Sequence, residues 1–155
     1  FNVLANVGLE EAKVLDIFAG TGAMGLEALS RGAAEAVFID RTTSDIIRKN
    51  AERCHMSGQV KVIARDVTPA LKLLGGKSFD YIFMDPPYRK GYINEILKEI
   101  LSCGICSDDA IIVAEHSVSE APDLSLFEDR LDLWKEKKSG AIVVTYLRCR
   151  TTEGV

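Results

Sequence analysis

Short apolar runs alternate with amphipathic stretches along most of this chain. Val14–Ile17, Ala36–Ile39, Val60–Ala64, Tyr81–Met84 and Ala110–Ala114 are mostly apolar, the pattern of strands buried on both faces of a parallel sheet. Between them apolar residues recur at helical spacing. One helix is predicted over Ala23–Arg31, closed by Gly32. A second starts at a Thr43 or Ser44 cap, turns Ile46, Ile47, Ala51 and Cys54 inward and ends near Gly58. A short third carries Pro69 in its first turn and stops at Gly75-Gly76, and a fourth covers Tyr92–Leu101. After Glu115-His116 the pattern weakens through an acidic, Pro-containing stretch. Leu131–Lys137 and Ala141–Arg148 then alternate as a closing hairpin around Ser139-Gly140. At the front, Phe1, Val3, Leu4 and Val7 stand at helical spacing and predict the end of a helix within Phe1–Ala12. Five strand and helix repeats followed by a hairpin predict an α/β, doubly wound, Rossmann-like sheet of seven mostly parallel strands, with the hairpin antiparallel. Ligands of such sheets bind outside the carboxyl ends of the strands. Asp16, Asp40, Asp66 and Asp85 fall at those ends in strands one to four.

Composition narrows the picture. With 155 residues, 47% of them hydrophobic, residues 1–155 are expected to form a single domain around one sheet. No apolar run approaches the ~20 residues that span a bilayer, and there is no basic, apolar, small-residue leader. A soluble, cytoplasmic protein with no membrane partner is the expectation. The formal net charge of -4 gives no basic footprint and argues against tight autonomous binding to naked nucleic acid. Of the cysteines, Cys103 and Cys106 have C-x-x-C spacing, but no second C-x-x-C completes a tetrahedral site. They are read as structural thiols, and no metal is expected. His55 is read as a partly exposed helix residue.

The candidate chemistry centres on Val14 to Leu29, VLDIFAGTGAMGLEAL. A strand runs into Gly20-Thr21-Gly22 and then into a helix, the layout of a nucleotide site in which glycines let the backbone approach a ligand. Gly20, Gly22 and Gly25 satisfy G-x-G-x-x-G, and Asp40 follows Gly20 by 20 residues. On spacing alone this is a dinucleotide fingerprint, and an NAD-binding oxidoreductase is one reading. Asp16 points elsewhere. An acid just before the glycines would repel a pyrophosphate and would favour a cationic ligand. Asp85-Pro86-Pro87-Tyr88, after the fourth strand, has no obvious use in a dehydrogenase.

Together, VLDIFAGTGAMGLEALSRGA, FID, FDYIFMDPPY and VAEHS resemble the bacterial small-subunit ribosomal RNA guanine-N2 methyltransferases of the RsmD type, over nearly the whole chain. Phe1-Asn2-Val3-Leu4 is similar to that family's A-L-F-N-x-L helix. The resemblance therefore implies a chain lacking the family's basic N-terminal segment, whose T-R-P-T-like motif is implicated in cofactor and RNA contacts. It implies the S-adenosylmethionine (SAM)-dependent methyltransferase fold, SAM as cofactor, and methyl transfer to guanine N2 in 16S ribosomal RNA, within an assembled ribonucleoprotein. D-P-P-Y alone also permits another nucleic-acid amine, such as adenine N6. A chain of this charge without the basic segment is expected to bind RNA weakly.

Carried over residue by residue, the resemblance places Asp16, Phe18, Ala19, Gly20, Thr21 and Gly22 around the methionyl part of SAM. Asp40, with Arg41 beside it, falls at the ribose hydroxyls, and Asp66 with Val67 at the adenine. Asp85, Pro86, Pro87 and Tyr88 are the implied catalytic residues. The Asp85 carboxylate and the Pro86 carbonyl would accept hydrogen bonds from the target amine and aim its lone pair at the methyl. Tyr88 is a stacking platform for a flipped base, with Arg89 and His116 on the substrate side. Each has a plainer reading: Asp16 as a cap on the glycine turn, Asp66 as a helix cap, Phe18 as core, Tyr88 as a loop anchor, Arg89 and Lys90 as solvated charges, His116 as a satisfied structural histidine.

Overall fold

A computed structural model describes residues 3, 4, 7–89 and 91–150. Its sheet has seven strands: β1 Lys13–Ile17, β2 Glu35–Ile39, β3 Val60–Ile63, β4 Phe79–Met84, β5 Cys106–Ser117, β6 Leu131–Ser139 and β7 Ile142–Cys149. The spatial order is β3-β2-β1-β4-β5-β7-β6. β1 to β5 pair in parallel, β7 runs antiparallel to β5, and β6 closes the edge against β7. Four helices join the parallel strands: α1 Ala23–Ser30, α2 Ser44–Arg53, α3 Val67–Leu73 and α4 Tyr92–Cys103. Chain order reverses between β1 and β4, so the crevice at the carboxyl ends of those two strands is the topological switch point.

Strands buried on both sides divide the apolar interior into two layers. On one face α1 and α2 pack Leu26, Leu29, Ile47 and Ala51 against Val14, Phe38, Phe83 and Val113. On the other, α3 and α4 pack Leu71, Ile96, Leu97 and Ile100 against Leu15, Ile39, Ile82 and Ile112. Alternation along each strand sends successive side chains to opposite layers, which is why these strands read as unbroken apolar runs. Leu4, Leu9 and Ala12 complete the first layer, and the buried Tyr146 donates its hydroxyl to the Val3 carbonyl at 2.8 Å. That bond ties the front of the chain to β7.

Several boundaries differ from the pattern reading. In α2 only Ile47 and Ala51 are buried, whereas Ile46 is 48% exposed and Cys54 is exposed. The helix touches the sheet along a single i, i+4 line, and Ile46 is turned about 100° from it. His55 lies just past that helix with φ 57°. β5 extends well beyond Ala110–Ala114, because β7 pairs with it as far as Ser117 opposite Ile142. The acidic stretch after β5 holds two 3-10 turns, Val118–Glu120 and Leu124–Phe127. The helix expected near the front falls partly on residues outside the described ones; Val3 and Leu4 form a turn, and residues 7–12 contain no helix. Cys106 is hydrogen-bonded to Cys149 across β5 and β7, a contact that lowers the Cys106 thiol pKa and raises that of Cys149. All four cysteines are free thiols.

Among the described residues no helix is long and apolar enough to cross a membrane. No group of three or more His, Cys, Asp or Glu among them could hold a metal ion.

Candidate active site

The glycine turn after β1 is fixed from three sides. Ala19 N–H donates to the Ile39 carbonyl of β2 at 3.1 Å, Gly22 N–H returns to the Ala19 carbonyl at 2.8 Å, and the Asn50 amide of α2 donates to the Thr21 carbonyl at 2.9 Å. Gly20 and Gly22 have φ 57° and 82°, a region open to glycine at little cost. Phe18 also sits at φ 60°, a strained conformation for a bulky residue of the kind found at ligand sites. Gly25 answers a packing need instead. A Cβ there would lie 2.4 Å from the Phe38 ring, so only glycine lets α1 come this close to β2.

Asp16 is buried, and its Oδ2 accepts the Gly25 N–H at 3.0 Å. Gly25 is the third residue of α1, so a strand carboxylate does for this helix what a cap residue does elsewhere. Burial nevertheless lifts the Asp16 pKa to about 7; the Gly25 bond works against that shift, and the charges of Asp40 and Asp85 add to it. A carboxyl desolvated beside two other acids favours a neighbouring cation. Asp40 is the opposite case. Its partial burial would raise the pKa, but bonds from Gly20 N–H (2.9 Å), Thr42 N–H (3.0 Å) and Thr43 N–H (3.2 Å) outweigh this and hold it below the usual value. Asp66 begins α3 without any side-chain capping bond. Its carboxylate faces Arg41 at 3.6 Å, with both side chains exposed.

Three cavities run across the carboxyl ends of the strands. The first, of about 570 Å³, lies over β2 and β3 and is walled by Phe18, Asp40, Arg41, Asp66, Val67 and Tyr92, among others. Phe18 also borders the second, of about 200 Å³, which reaches Asp16, Ala19, Met24 and Met84. Asp85 and Glu115 close that one and open a third, of about 370 Å³, lined by Pro86, Pro87, Tyr88, Arg89 and His116. Most of the sequence-predicted residues therefore line one path, from Asp66 through Phe18 to Asp85, whereas Gly20, Thr21 and Gly22 line none of the three cavities.

Asp85 follows β4 directly, and its peptide bonds to the prolines are trans. It is exposed at the rim, yet desolvation by the surrounding walls raises its pKa. Glu115, half-buried near the end of β5, is raised by burial and then by Asp85. Tyr88 is 77% exposed. Arg89 lies 4.7 Å over the Tyr92 ring and 3.6 Å from Glu95, so it is more than a solvated charge. Lys90 lies outside the described residues. The His116 Nδ1 meets the Ser117 carbonyl at 2.7 Å and its Nε2 meets Thr145 Oγ1 at 2.6 Å. Both ring nitrogens are thus engaged within the fold, and the ring lines the third cavity as a wall.

Asn50 and Tyr92 are the residues that the sequence reading passes over; Glu115 enters it only through the VAEHS resemblance, as part of Glu115-His116-Ser117 on the substrate side. Glu115 stands near a strand end, like the four aspartates, but inside a run that reads as strand leading into loop. Asn50 and Tyr92 carry no local signal, since their contacts lie 29 residues away, at Thr21, and across the path at Phe18, whose ring packs edge-on to Tyr92 at 5.7 Å.

The profile of a family described as Conserved hypothetical protein 95 matches residues 1–148. Ribosomal RNA small subunit methyltransferase D of Escherichia coli (strain K12) is 35% identical over 144 residues, which are 92% of this chain and 70% of that protein. The chain belongs to this methyltransferase D family. Among solved structures, a putative methyltransferase from Escherichia coli, yhhF, superposes with a TM-score of 0.85 at 33% identity, covering 98% of this chain and 84% of that one. SMU.776, a putative methyltransferase complexed with SAH, shares the fold at 16% identity, with a TM-score of 0.75 over 94% of this chain and 47% of that one. The chain thus belongs to a methyltransferase family and shares its fold with a methyltransferase solved with SAH. The NAD reading of the glycine motif is set aside on the family and on Asp16, which lines the second cavity where a dinucleotide would bring pyrophosphate.

Proposed function

We propose that this chain, acting as one domain, transfers the methyl group of SAM to the N2 amine of a guanine in small-subunit ribosomal RNA. The observation that carries the choice of base is the acid-lined third cavity, where Asp85 and Glu115 stand together. Among the described residues no hydrogen bond or ion pair is made by either carboxylate. The Watson–Crick edge of guanine offers three N–H donors, one on N1 and two on N2, and ionised carboxylates only accept. Adenine offers two donors on N6, but its N1 is an acceptor and would face a carboxylate without a proton between them. A site built to accept donors rejects the base that lacks one.

SAM, when bound, supplies a methyl already activated on a sulfonium. The residues of this chain then need only hold and aim. Asp16, Phe18, Ala19, Gly20, Thr21 and Gly22 would surround its methionyl part, Asp40 with Arg41 its ribose, and Asp66 with Val67 its adenine. The fit is supported by the path of cavities and by Asp16, whose elevated pKa favours a cation. At the target amine, the Asp85 carboxylate and the Pro86 carbonyl would each accept one N2–H, which leaves the nitrogen lone pair facing the methyl. Pro86 presents no backbone donor that would compete. As positive charge grows on nitrogen, Asp85 stabilises it and can take the proton, a task suited to a carboxyl of raised pKa. Tyr88 would stack on the flipped base, and Arg89 and His116 would wall it. No metal enters this scheme. The proposed working setting is a cytoplasmic, assembled small-subunit ribonucleoprotein; the relative's name gives the small-subunit ribosomal RNA alone.

The test is to incubate the full-length protein with labelled SAM and undermethylated small subunits or naked ribosomal RNA, then digest and identify the labelled nucleoside. N2-methylguanine is expected. N6-methyladenine would overturn the argument from the carboxylates, and label absent from RNA would overturn the substrate class.

A further inference from the structure

The net negative charge of the chain conceals one basic region. The β6–β7 hairpin carries Lys135, Lys137, Lys138, Arg148 and Arg150 against only Asp132 and Glu136. Its register slips once: Leu133 pairs with Leu147 and Lys135 with Tyr146, so Trp134 is an extra residue on β6. Such a bulge sharpens the twist and re-aims side chains. Here it gathers aromatic and cationic groups. Trp134 meets Tyr146 edge-on at 5.9 Å, and Lys135 Nζ lies 4.4 Å from the Trp134 ring centre and 4.6 Å from that of Tyr146. Arg148 stands 5.4 Å from the Trp134 ring and Lys137 5.8 Å from Tyr146.

Both acids of the hairpin are already bound elsewhere. Asp132 is held bidentately by Arg150 at 2.8 and 2.5 Å, and Glu136 pairs with Lys138 at 3.5 Å. Among the described residues Lys135 and Lys137 therefore have rings as neighbours and no salt-bridged carboxylate, while Arg148 also stands opposite Asp132, whose pKa its charge helps to lower. Partial burial and the nearby Lys137 depress the Lys135 pKa, a crowding that a bound anion relieves. Trp134, 39% exposed, keeps part of its indole open.

Position ties this cluster to the site. Ile142 lines the acid-walled cavity, and Ile142, Val144, Tyr146 and Arg148 alternate on one face of β7. At ~3.3 Å per residue the cluster begins ~13 Å along the strand from that cavity. We propose that the bulged face of the β6–β7 hairpin binds single-stranded RNA flanking the target nucleotide, with Trp134 stacking on a base and Lys135, Lys137 and Arg148 contacting phosphates. Aromatic platforms among cations are the means by which proteins hold single strands without reading their sequence. The inference rests on the RNA substrate class proposed above.

The test measures binding of a guanine-containing single-stranded RNA by the full-length protein as a function of salt, with Kd for SAM as the control for folding. The double variant K135Q/K137Q should weaken RNA binding and flatten the log–log salt dependence by about 1.4, two single-strand phosphate contacts' worth. W134L should weaken RNA binding by about five- to a hundredfold, with W134F retaining most of it. In turnover all of these should raise KM for RNA while leaving kcat and SAM affinity unchanged. If W134L does not fold, the lysine variant still decides the matter. A wild type that makes N2-methylguanine, beside a K135Q/K137Q variant whose RNA affinity and salt slope are unchanged, overturns this surface and leaves the proposed reaction standing. A wild type that binds and methylates no RNA overturns both.

Discussion

At the ends of β1 and β2 the acids are bonded to backbone before any ligand arrives; near the ends of β4 and β5 they are not. Asp16 holds Gly25 N–H, and Asp40 holds three N–H groups from Gly20, Thr42 and Thr43. Asp85 and Glu115 face a cavity with raised pKa values instead. The half proposed to hold the cofactor is organised in advance, which would lower the ordering cost of binding. The half proposed for the acceptor keeps its hydrogen-bonding capacity open; burial raises both carboxyls there, and the Asp85 charge raises Glu115 further.

The sharpest way to break this contrast is Asp85→Ala. Turnover should fall about 10²–10³-fold, as when one preorganised electrostatic group is removed, while calorimetry should find SAM affinity nearly unchanged. Equal loss of both would put Asp85 in the cofactor half. Next in size is Gly25→Ala, whose Cβ would fall 2.4 and 2.6 Å from Phe38 and 3.3 Å from Asp16. Overpacking of this kind costs about 1–3 kcal/mol, to be read from denaturant melts; an unshifted midpoint would show that α1 can slide on β2. Asp40→Ala should weaken SAM binding by ~1–3 kcal/mol and lower stability too, since three N–H groups lose their acceptor. Intact affinity would leave Asp40 a purely structural part of the turn.

A pH series sharpens the contrast further. Asp16, at about 7 in the fold against 3.8 as its ordinary value, keeps its proton where the unfolded chain has lost it. Stability without ligand should therefore decline as pH rises from about 4 to 7 and then level off. Affinity for cationic SAM should run the other way, rising up to about tenfold per unit below pH 7 and flattening above it. Asp16→Asn should abolish that slope in calorimetry. The smallest effect expected is from Arg41→Ala in the protein without ligand. Its pair with Asp66 is exposed at 3.6 Å, so stability should change by less than about 1 kcal/mol; a larger loss in the thermal midpoint would mean that the pair organises the β3 end.

Most of the cofactor half was legible in the chain, because its parts are local. Val14 to Leu29 encodes a strand, a glycine turn and a helix in one stretch, and strand-end aspartates follow from apolar periodicity alone. The identity of the layer below was not. Ile46 and Ile47 are equally apolar in sequence, and only the line of contact with the sheet decides that one is buried and the other exposed. Net charge misled for a similar reason: an average over the chain cannot see that a bulge at Trp134 places three cations around two rings.

By itself, then, the sequence determined the strand and helix succession, the glycine turn, the acids at strands one to four and the D-P-P-Y loop, since each depends on residues a few positions apart. Tertiary structure decided that Glu115 stands with Asp85, that Asn50 clamps Thr21, that His116 is tied down by Thr145, and that β7 threads between β5 and β6 to carry a basic face beside the cavity. Those pairings join segments about 30 residues apart, and which ones meet is set by the packing of two apolar layers on a sheet, a property of the whole chain that no local pattern contains.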